Sequence, residues 1–291
     1  MRANYAKDPA LFPRCMDLIE EVFPGCKEFA RYGEKYNASW KEASTPFIVE
    51  KKGEIIAHTG VWPITFILNG KEHRTASIHG VCVKPEHRGK GYFKQLMNEA
   101  MEYVNEQFDS SLLFTVKPYL YLHYPYQIML PEYDFVVNEI SSGSKIDSDL
   151  RLLNLDNPDD LKLMHELISN RVPLSNQLSV QGKNGKSLFI LNMMNKPIFY
   201  SKKLNALLVY EIKSKSLFIK EIISPQQTDL QDIIGLISEP FDKIILQFCP
   251  DRFLDRKDYS PILAMPECCI MVSESFIFKG DNFRFPELYW C

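Results

Sequence analysis

The chain has 291 residues, of which 45% are hydrophobic and 24% are charged, as is typical of a folded protein large enough for two domains. A formal net charge of −3 offers no general attraction to nucleic acid or an anionic membrane. No apolar run approaches the roughly 20 residues that cross a bilayer. The seven cysteines include no Cys-x-x-Cys pair, the six histidines are scattered, and no secretory signal is apparent. We therefore predict reduced thiols, no metal site, no nucleic-acid or membrane partner, and a cytoplasmic location.

The N-terminal part of the chain reads as two helices followed by antiparallel strands. Asp8 can cap a helix over 8–23 whose apolar residues share one face, and a second short helix is predicted around 28–36. Three strand-like runs follow, at 46–51, 55–68 and 73–83. Asn69-Gly70 is the strongest short-range hairpin signal, so we predict an antiparallel set that ends at Val83.

The stretch 77–104 combines a strand, a basic glycine-rich turn and a helix. The strand ends at Val83 because Pro85 cannot continue the ladder. Apolar residues at three- and four-residue spacing from 96 to 104 predict the helix. Between them lies Arg88-Gly89-Lys90-Gly91. Glycines let the backbone approach a ligand, and the first amides of a helix lack intrahelical acceptors, so the pattern predicts a phosphate cradle. The alternative is a turn whose basic residues are only solvated.

This cradle fits neither of the two common nucleotide-binding loops. The Walker spacing is absent, and only two glycines of the dinucleotide fingerprint could be placed. Instead, Val83-Lys84-Pro85 followed by residues 88–93 resembles motif A of the GCN5-related N-acetyltransferase (GNAT) superfamily, Gln/Arg-x-x-Gly-x-Gly/Ala preceded by Val-x-Pro. The resemblance implies acetyl-coenzyme A as co-substrate, with its pyrophosphate held by main-chain amides. The implied contacts are Arg88, Gly89, Lys90, Gly91, Tyr92 and Phe93. Phe93 departs from the small residue expected last, which fits if its side chain packs into the helix.

After this helix we predict a strand at 111–116, a short aromatic segment at 117–124 and a further strand at 133–137. Over residues 1–140 this order resembles the GNAT fold, an α/β fold of the α+β type with a mixed, mostly antiparallel central sheet flanked by helices. In that fold the motif strand and the next strand splay apart, and the acyl-pantetheine enters the gap. The resemblance implies that it pairs with main-chain groups of Val81, Cys82 and Val83.

The second half of the chain repeats the first in outline. Residues 141–150, which include Ser-Ser-Gly-Ser, form a predicted linker. Residues 151–291 then repeat the element order at an offset of about 130 to 140 residues. The stretch that corresponds to the cradle, 224–229, has no glycine and no basic residue, so we predict a degenerate GNAT-like domain without a cofactor site.

The tandem arrangement resembles the enhanced-intracellular-survival group of GNAT enzymes. That group adds a third, sterol-carrier-like domain, for which we expect no counterpart here. Neither its aminoglycoside substrates nor a role for the Cys291 carboxylate is therefore carried over.

The function implied by the resemblance is N-acyl transfer. An acetyl or other acyl group passes from acetyl-coenzyme A to a primary amine of a small molecule or protein, by direct attack in a ternary complex. The alternative is a non-catalytic acyl-coenzyme A-binding or protein-interaction module on the same scaffold. The acceptor and the oligomeric state stay open.

His79 is the sequence-based candidate for the proton acceptor. It lies two residues before Val81 on the motif strand, so the two side chains are predicted to face the same way, and an unperturbed imidazole titrates near neutrality. An equally weighted alternative is a histidine hydrogen-bonded within the sheet. Other candidates, acting through a water, are His58, Glu50 and Glu54.

Tyr126 is the candidate general acid that protonates the departing thiolate. In the survival-protein group this tyrosine closes a segment aliphatic-Tyr-x-x-Phe-Gly-Tyr, and residues 120–126 fit that spacing. Pro125 replaces the glycine, so Tyr124 or Tyr121 could serve instead. A nucleophilic role for Cys82 is disfavoured, because it lacks a clear partner and the family rarely forms a covalent intermediate.

Overall fold

The computed structural model describes residues 1–124, 128–139, 148–265 and 268–290, and over 182–185 only the backbone. The predicted α/β class is confirmed, with two mixed sheets and helices packed against them. The helices are α1 (Leu11–Val22), α2 (Cys26–Lys35), α3 (Trp40–Ala43), α4 (Tyr92–Gln107), α5 (Pro158–Asn170), α6 (Gly182–Asn192) and α7 (Leu230–Gly235). The strands are β1 (Thr45–Lys51), β2 (Glu54–Leu68), β3 (Lys71–Val83), β4 (Ser110–Thr115), β5 (Ile128–Leu130), β6 (Tyr133–Val137), β7 (Arg151–Leu152), β8 (Leu178–Val180), β9 (Phe199–Ser201), β10 (Ala206–Lys213), β11 (Ser216–Ile223), β12 (Lys243–Leu246), β13 (Tyr259–Leu263) and β14 (Cys269–Val272).

The first sheet has the order β1-β2-β3-β4-β14-β5, with β8 paired to β2. The predicted hairpin between β2 and β3 is present, and Asn69 and Gly70 both take positive φ, at 53° and 77°, as a tight primed turn requires. One face of the sheet is covered by α4, whose apolar stripe packs with strand residues such as Ala76, Ile78 and Leu113. The other face packs on α1 and α2 and joins the core that continues into the second half of the chain.

The second sheet has the order β13-β6-β12-β11-β10-β9-β7 and repeats the pairing of the first. In each sheet a long antiparallel hairpin, β2–β3 or β10–β11, is followed by a parallel neighbour, β4 or β12. The last strand of each hairpin ends at Val83 or Ile223. The repeat in outline that the sequence predicted therefore extends to strand pairing.

The two sheets exchange one strand each. The strand at 133–137, which we predicted for the first sheet, is β6 and lies in the second, between β12 and β13. In return β14, from the far end of the chain, lies in the first sheet between β4 and β5. Only residues 131–132 separate β5 from β6, so the chain passes directly from one sheet to the other instead of turning back. The predicted linker at 141–150 lies mostly outside the described residues and stays a prediction. Each sheet contains strands from both sides of it.

A substitution at Met271 on β14 can test whether this strand completes the first sheet, because the fully buried side chain packs in the α4-side core of that sheet. We expect Met271→Asp to lower the free energy of unfolding by about 3 kcal/mol or more, since it buries a carboxylate among apolar side chains. Its cross-strand neighbour Met129 is 56% exposed, so Met129→Asp serves as the matched control and should cost under 1 kcal/mol. Urea unfolding measures both, and equal losses would mean that β14 does not complete this core.

Candidate functional site

The loop between β3 and α4 has the geometry of an open anion cradle. Gly89 and Gly91 take φ values of 73° and 84°, which side chains disfavour, and a Cβ built at either would meet no atom within 4 Å. The first amides of α4 receive no side-chain cap, and its first turn holds no acidic residue. Arg88 and Lys90 are exposed; the Nε of Arg88 donates to the carbonyl of Val83 at 3.1 Å, and the Nζ of Lys90 donates to that of Glu86 at 2.8 Å. The space above the loop is therefore open and basic, and no side chain among the described residues caps the helix amides that follow it.

Phe93 and Tyr92 lie at the start of α4 in different surroundings. Phe93 packs edge-to-face against Tyr121 and Tyr124, at ring-centroid distances of 5.6 and 6.3 Å. This inward packing is the condition under which a large side chain fits the last position of the motif. Tyr92 is half-buried, and the Lys51 ammonium group contacts its hydroxyl and lies 4.7 Å from its ring centroid.

A gap opens between β3 and β4 directly before this loop. The two parallel strands pair from Thr75↔Ser110 to Ile78↔Leu113, and their remaining residues, all of them described, share no further pairing. On its opposite edge β4 pairs with β14 from Leu112 to Thr115, beyond the point where its pairing with β3 stops. The last five residues of β3, 79–83, therefore face an opening on the β4 side.

A β-bulge marks the start of the gap. On β2, His58 and Gly60 are two residues apart, but their partners on β3, Cys82 and His79, are three apart. The extra residue is accommodated at Gly80, whose φ of 54° lies in the left-handed region. A glycine inside a strand pattern is a recognised sign of a bulge, so this signal was present in the sequence.

The bulge reverses the predicted relation between His79 and Val81. Before it, Ile78 faces α4 and His79 faces the opposite core, where its ring lies 5.3 Å from that of Trp40. After it, Val81 and Val83 pack on the α4 side. The prediction that His79 and Val81 share a face is therefore wrong, because the inserted residue breaks the period-two alternation.

Between Val81 and Val83, Cys82 is buried on the α1 side. Burial raises the pKa of its thiol to about 12, so the reactive thiolate is suppressed.

His79 lies inside the fold and is 4% exposed. Its Nε2 is 2.8 Å from the hydroxyl of Ser44, which matches the alternative of a histidine hydrogen-bonded within the protein. Burial, and then the neighbouring His58, lower the pKa of His79 to about 3. The role of His79 as proton acceptor stays a prediction, and these contacts weigh against it.

The tyrosines after β4 are described in part. Tyr126 lies outside the described residues. Tyr121 is buried, and burial raises its pKa to about 12. Tyr124 is half-buried, burial raises its pKa, and its hydroxyl has no hydrogen-bond partner among the described residues. It borders an open groove of about 680 Å³ along α4, which also contains His123 and Asn98.

The corresponding loop in the second half already has a carboxylate at its helix start. Asp229 caps α7, and its carboxylate accepts a hydrogen bond from the amide of Gln231 at 2.7 Å. A negative side chain thus already occupies the helix start that a phosphate would need. This arrangement supports the prediction that the second half lacks a cofactor site.

The part of the chain that the structure describes contains neither a metal-binding cluster nor a membrane-spanning helix. No group of three or more His, Cys, Asp or Glu residues there could hold a metal ion. No helix there is long and apolar enough to cross a membrane.

Residues 7–129 match the family model described as an acetyltransferase (GNAT) domain. No curated protein matches the chain. Among solved structures, it is similar to a conserved protein of unknown function, termed a probable N-acyltransferase, from Enterococcus faecalis V583, with 13% identity and a TM-score of 0.58 over 93% of this chain and 70% of that one. It is similar to a GCN5-related N-acetyltransferase from Kribbella flavida, with 16% identity and a TM-score of 0.54 over 90% and 68%. It is also similar to Eis1 from Mycobacterium abscessus, with 12% identity and a TM-score of 0.57 over 90% and 71%. At these identities the likeness shows the fold, and its coverage includes both sheets.

The burial of His79 predicts a pH dependence of stability. The folded protein keeps the ring neutral, whereas in the unfolded chain it takes up a proton near pH 6.5, so stability is fully present above that pH and is lost as the pH falls toward the folded pKa of about 3. Between pH 7.5 and 5.5 this histidine should account for a loss of about 1.4 kcal/mol. Urea unfolding at both pH values should show a smaller loss for His79→Gln. The exposed control His123→Gln should behave as wild type, and an unchanged loss in His79→Gln would contradict the burial argument.

Proposed function

We propose, from the premise that residues 7–129 belong to the GNAT acetyltransferase family, that this chain is an N-acyltransferase acting on a primary amine of a small molecule or protein. That membership confirms the resemblance predicted from motif A, and the similar solved structures confirm the predicted fold class. The co-substrate we propose is acetyl-coenzyme A or another acyl-coenzyme A.

The observation that carries the proposal is the continuity of the gap with the cradle. The opening beside 79–83 leads along β3 to the glycine loop at 88–91 and the uncapped start of α4. Coenzyme A joins a long, uncharged pantetheine arm to a pyrophosphate. A strand edge with free main-chain groups suits the arm, and a basic cradle of amides suits the pyrophosphate.

In the proposed reaction the amine nitrogen bonds to the thioester carbonyl carbon and the carbon–sulfur bond breaks. The amine loses one proton, and the thiolate gains one. The main chain near Val81 and Cys82 is proposed to donate a hydrogen bond to the carbonyl oxygen as it becomes negative. Burial lowers the pKa of His79 and makes its imidazole a weak base. In the proposed reaction the amine therefore releases its proton to water.

For the proton that the thiolate gains, Tyr126 is the proposed donor and Tyr124 the alternative. A phenol with an ordinary pKa of about 10 holds its proton at neutral pH and can give it to a thiolate. The hydroxyl of Tyr124, buried and without a partner among the described residues, supports keeping it as the alternative.

A panel of primary amines with acetyl-coenzyme A, followed by release of free thiol, tests the function. We expect turnover with at least one amine, and calorimetry should give one coenzyme A site per chain, since Asp229 blocks the second loop. Binding without thiol release from any amine would favour the non-catalytic module. Two sites per chain would contradict the degenerate second domain.

The matched pair Gly91→Ala and Gly53→Ala tests the cradle. Both glycines have positive φ, 84° and 83°, and open space at the Cβ position, so both variants should lose about 1 kcal/mol of stability. Only Gly91 lies in the cradle, and shifting its amides should weaken coenzyme A binding at least tenfold by calorimetry. Equal affinities in the two variants would place the phosphate site elsewhere.

Tyr126→Phe and Tyr124→Phe separate the two candidate acids, since each keeps the ring and removes the hydroxyl. We expect Tyr126→Phe to lower turnover roughly 10²-fold with coenzyme A affinity nearly unchanged, as for loss of general acid catalysis. Full activity in that variant, with the loss in Tyr124→Phe, would move the role to Tyr124.

A further inference from the structure

We infer that His58 is a positioning residue, whose imidazole holds the Gly80 bulge in the conformation that aims the Val81 amide into the gap. The inference rests on the proposed function for its catalytic consequence, but its geometry can be tested without substrate.

His58 lies on β2, is fully buried, and reaches across to the bulge. Its Nδ1 is 2.8 Å from the carbonyl oxygen of Gly80, and its Nε2 is 3.2 Å from the hydroxyl of Tyr5. Tyr5 precedes α1 and is itself 6% exposed. The ring is thus held at both nitrogens by groups that are distant in the sequence.

These two bonds determine the tautomer of the ring. A carbonyl oxygen only accepts, so Nδ1 carries the proton and donates it to Gly80. Burial lowers the pKa of His58 to about 4, so the ring is neutral at physiological pH and Nε2 carries no proton. Nε2 is then the acceptor, and the Tyr5 hydroxyl donates to it. Tyr5 therefore reinforces the tautomer that the Gly80 carbonyl requires.

The bond to Gly80 determines the direction of the next amide. The carbonyl of Gly80 and the N–H of Val81 belong to one planar trans peptide, and they point in opposite directions. With the carbonyl held by the His58 ring, the N–H of Val81 points away from that ring, on the stretch of β3 from which β4 has separated. The clamp thus aims a hydrogen-bond donor into the space proposed for the thioester.

Gly80 is required by the clamp as well as by the backbone. Its φ of 54° disfavours a side chain, and a Cβ there would lie 3.3 Å from both Nδ1 and Cε1 of His58. Ring and glycine fit closely, so the bulge and its clamp form one unit.

The first arm of the test reads the tautomer by ¹⁵N NMR of histidine-labelled protein, with the His58 signal identified by its loss in His58→Asn. We expect Nδ1–H in the wild type and a shift toward Nε2–H in Tyr5→Phe. An Nε2–H tautomer in the wild type overturns the clamp whether or not the protein is an acyltransferase.

The second arm measures turnover and coenzyme A affinity. His58→Leu should lower kcat about 10²-fold, because a misaimed donor no longer meets the developing charge, while affinity changes less than about threefold because the glycine loop is untouched. His58→Asn should recover kcat to within about tenfold of wild type, since an amide can donate where Nδ1 does. If His58 only filled space in the core, restoring a hydrogen-bond donor in His58→Asn would not recover kcat.

His165→Leu is the matched control, because it too removes a hydrogen bond between an imidazole and a main-chain carbonyl. The partly buried ring of His165 lies 3.1 Å from the carbonyl oxygen of Tyr36. It should leave kcat unchanged. Wild-type kcat in folded His58→Leu, or no recovery in His58→Asn, overturns the inference. If His58→Leu does not fold, Tyr5→Phe decides, with about tenfold lower kcat expected and unchanged kcat contradicting the clamp. Absence of any turnover in the wild type would refute the proposed function, and the tautomer arm would then decide the clamp alone.

Discussion

The separation of β3 from β4 is the constraint on which the site depends. Two parallel strands that paired along their full length would leave no unpaired edge inside the sheet, and main-chain donors could not face a ligand there. Two features accompany the separation. The bulge at Gly80 interrupts the regular pairing of β3 at the start of the gap, and β14 pairs with the far edge of β4.

The strand exchange makes the first sheet dependent on the second half of the chain. The crossing between β5 and β6 is held by buried polar contacts, in which Glu132 accepts a hydrogen bond from the amide of Phe285 at 3.0 Å. Arg284 pairs with Glu132 and with Asp134, at 3.4 and 3.2 Å. Because removing one partner of a buried ion pair leaves an uncompensated charge, these contacts favour one path of the chain across the sheets. The second half thus contributes to the gap even though its own loop is capped by Asp229.

The starts of α4 and α7 differ in whether a side chain satisfies their first amides. At α4, Gly91 takes a left-handed conformation and leaves the first amides open. At α7, Asp229 is extended and its own carboxylate satisfies an amide. The difference lies in a few residues after a similar strand, so the sheets retain their pairing while the chemistry of the loops diverges.

The sequence by itself determined the features that depend on neighbouring residues. Asn69-Gly70 specified its hairpin, and the glycines at 89 and 91 specified a loop whose backbone a side chain would strain. The absence of glycine from 224–229 likewise marked the second loop as different.

Tertiary structure decided what depends on contacts between distant residues. His79 is hydrogen-bonded to Ser44 inside the protein, and His58 is hydrogen-bonded to Tyr5 and Gly80. Strand β6 joined the other sheet through partners more than 100 residues away. Residue type and spacing do not predict such long-range contacts, because burial and hydrogen-bond partners are determined only when the two sheets pack together.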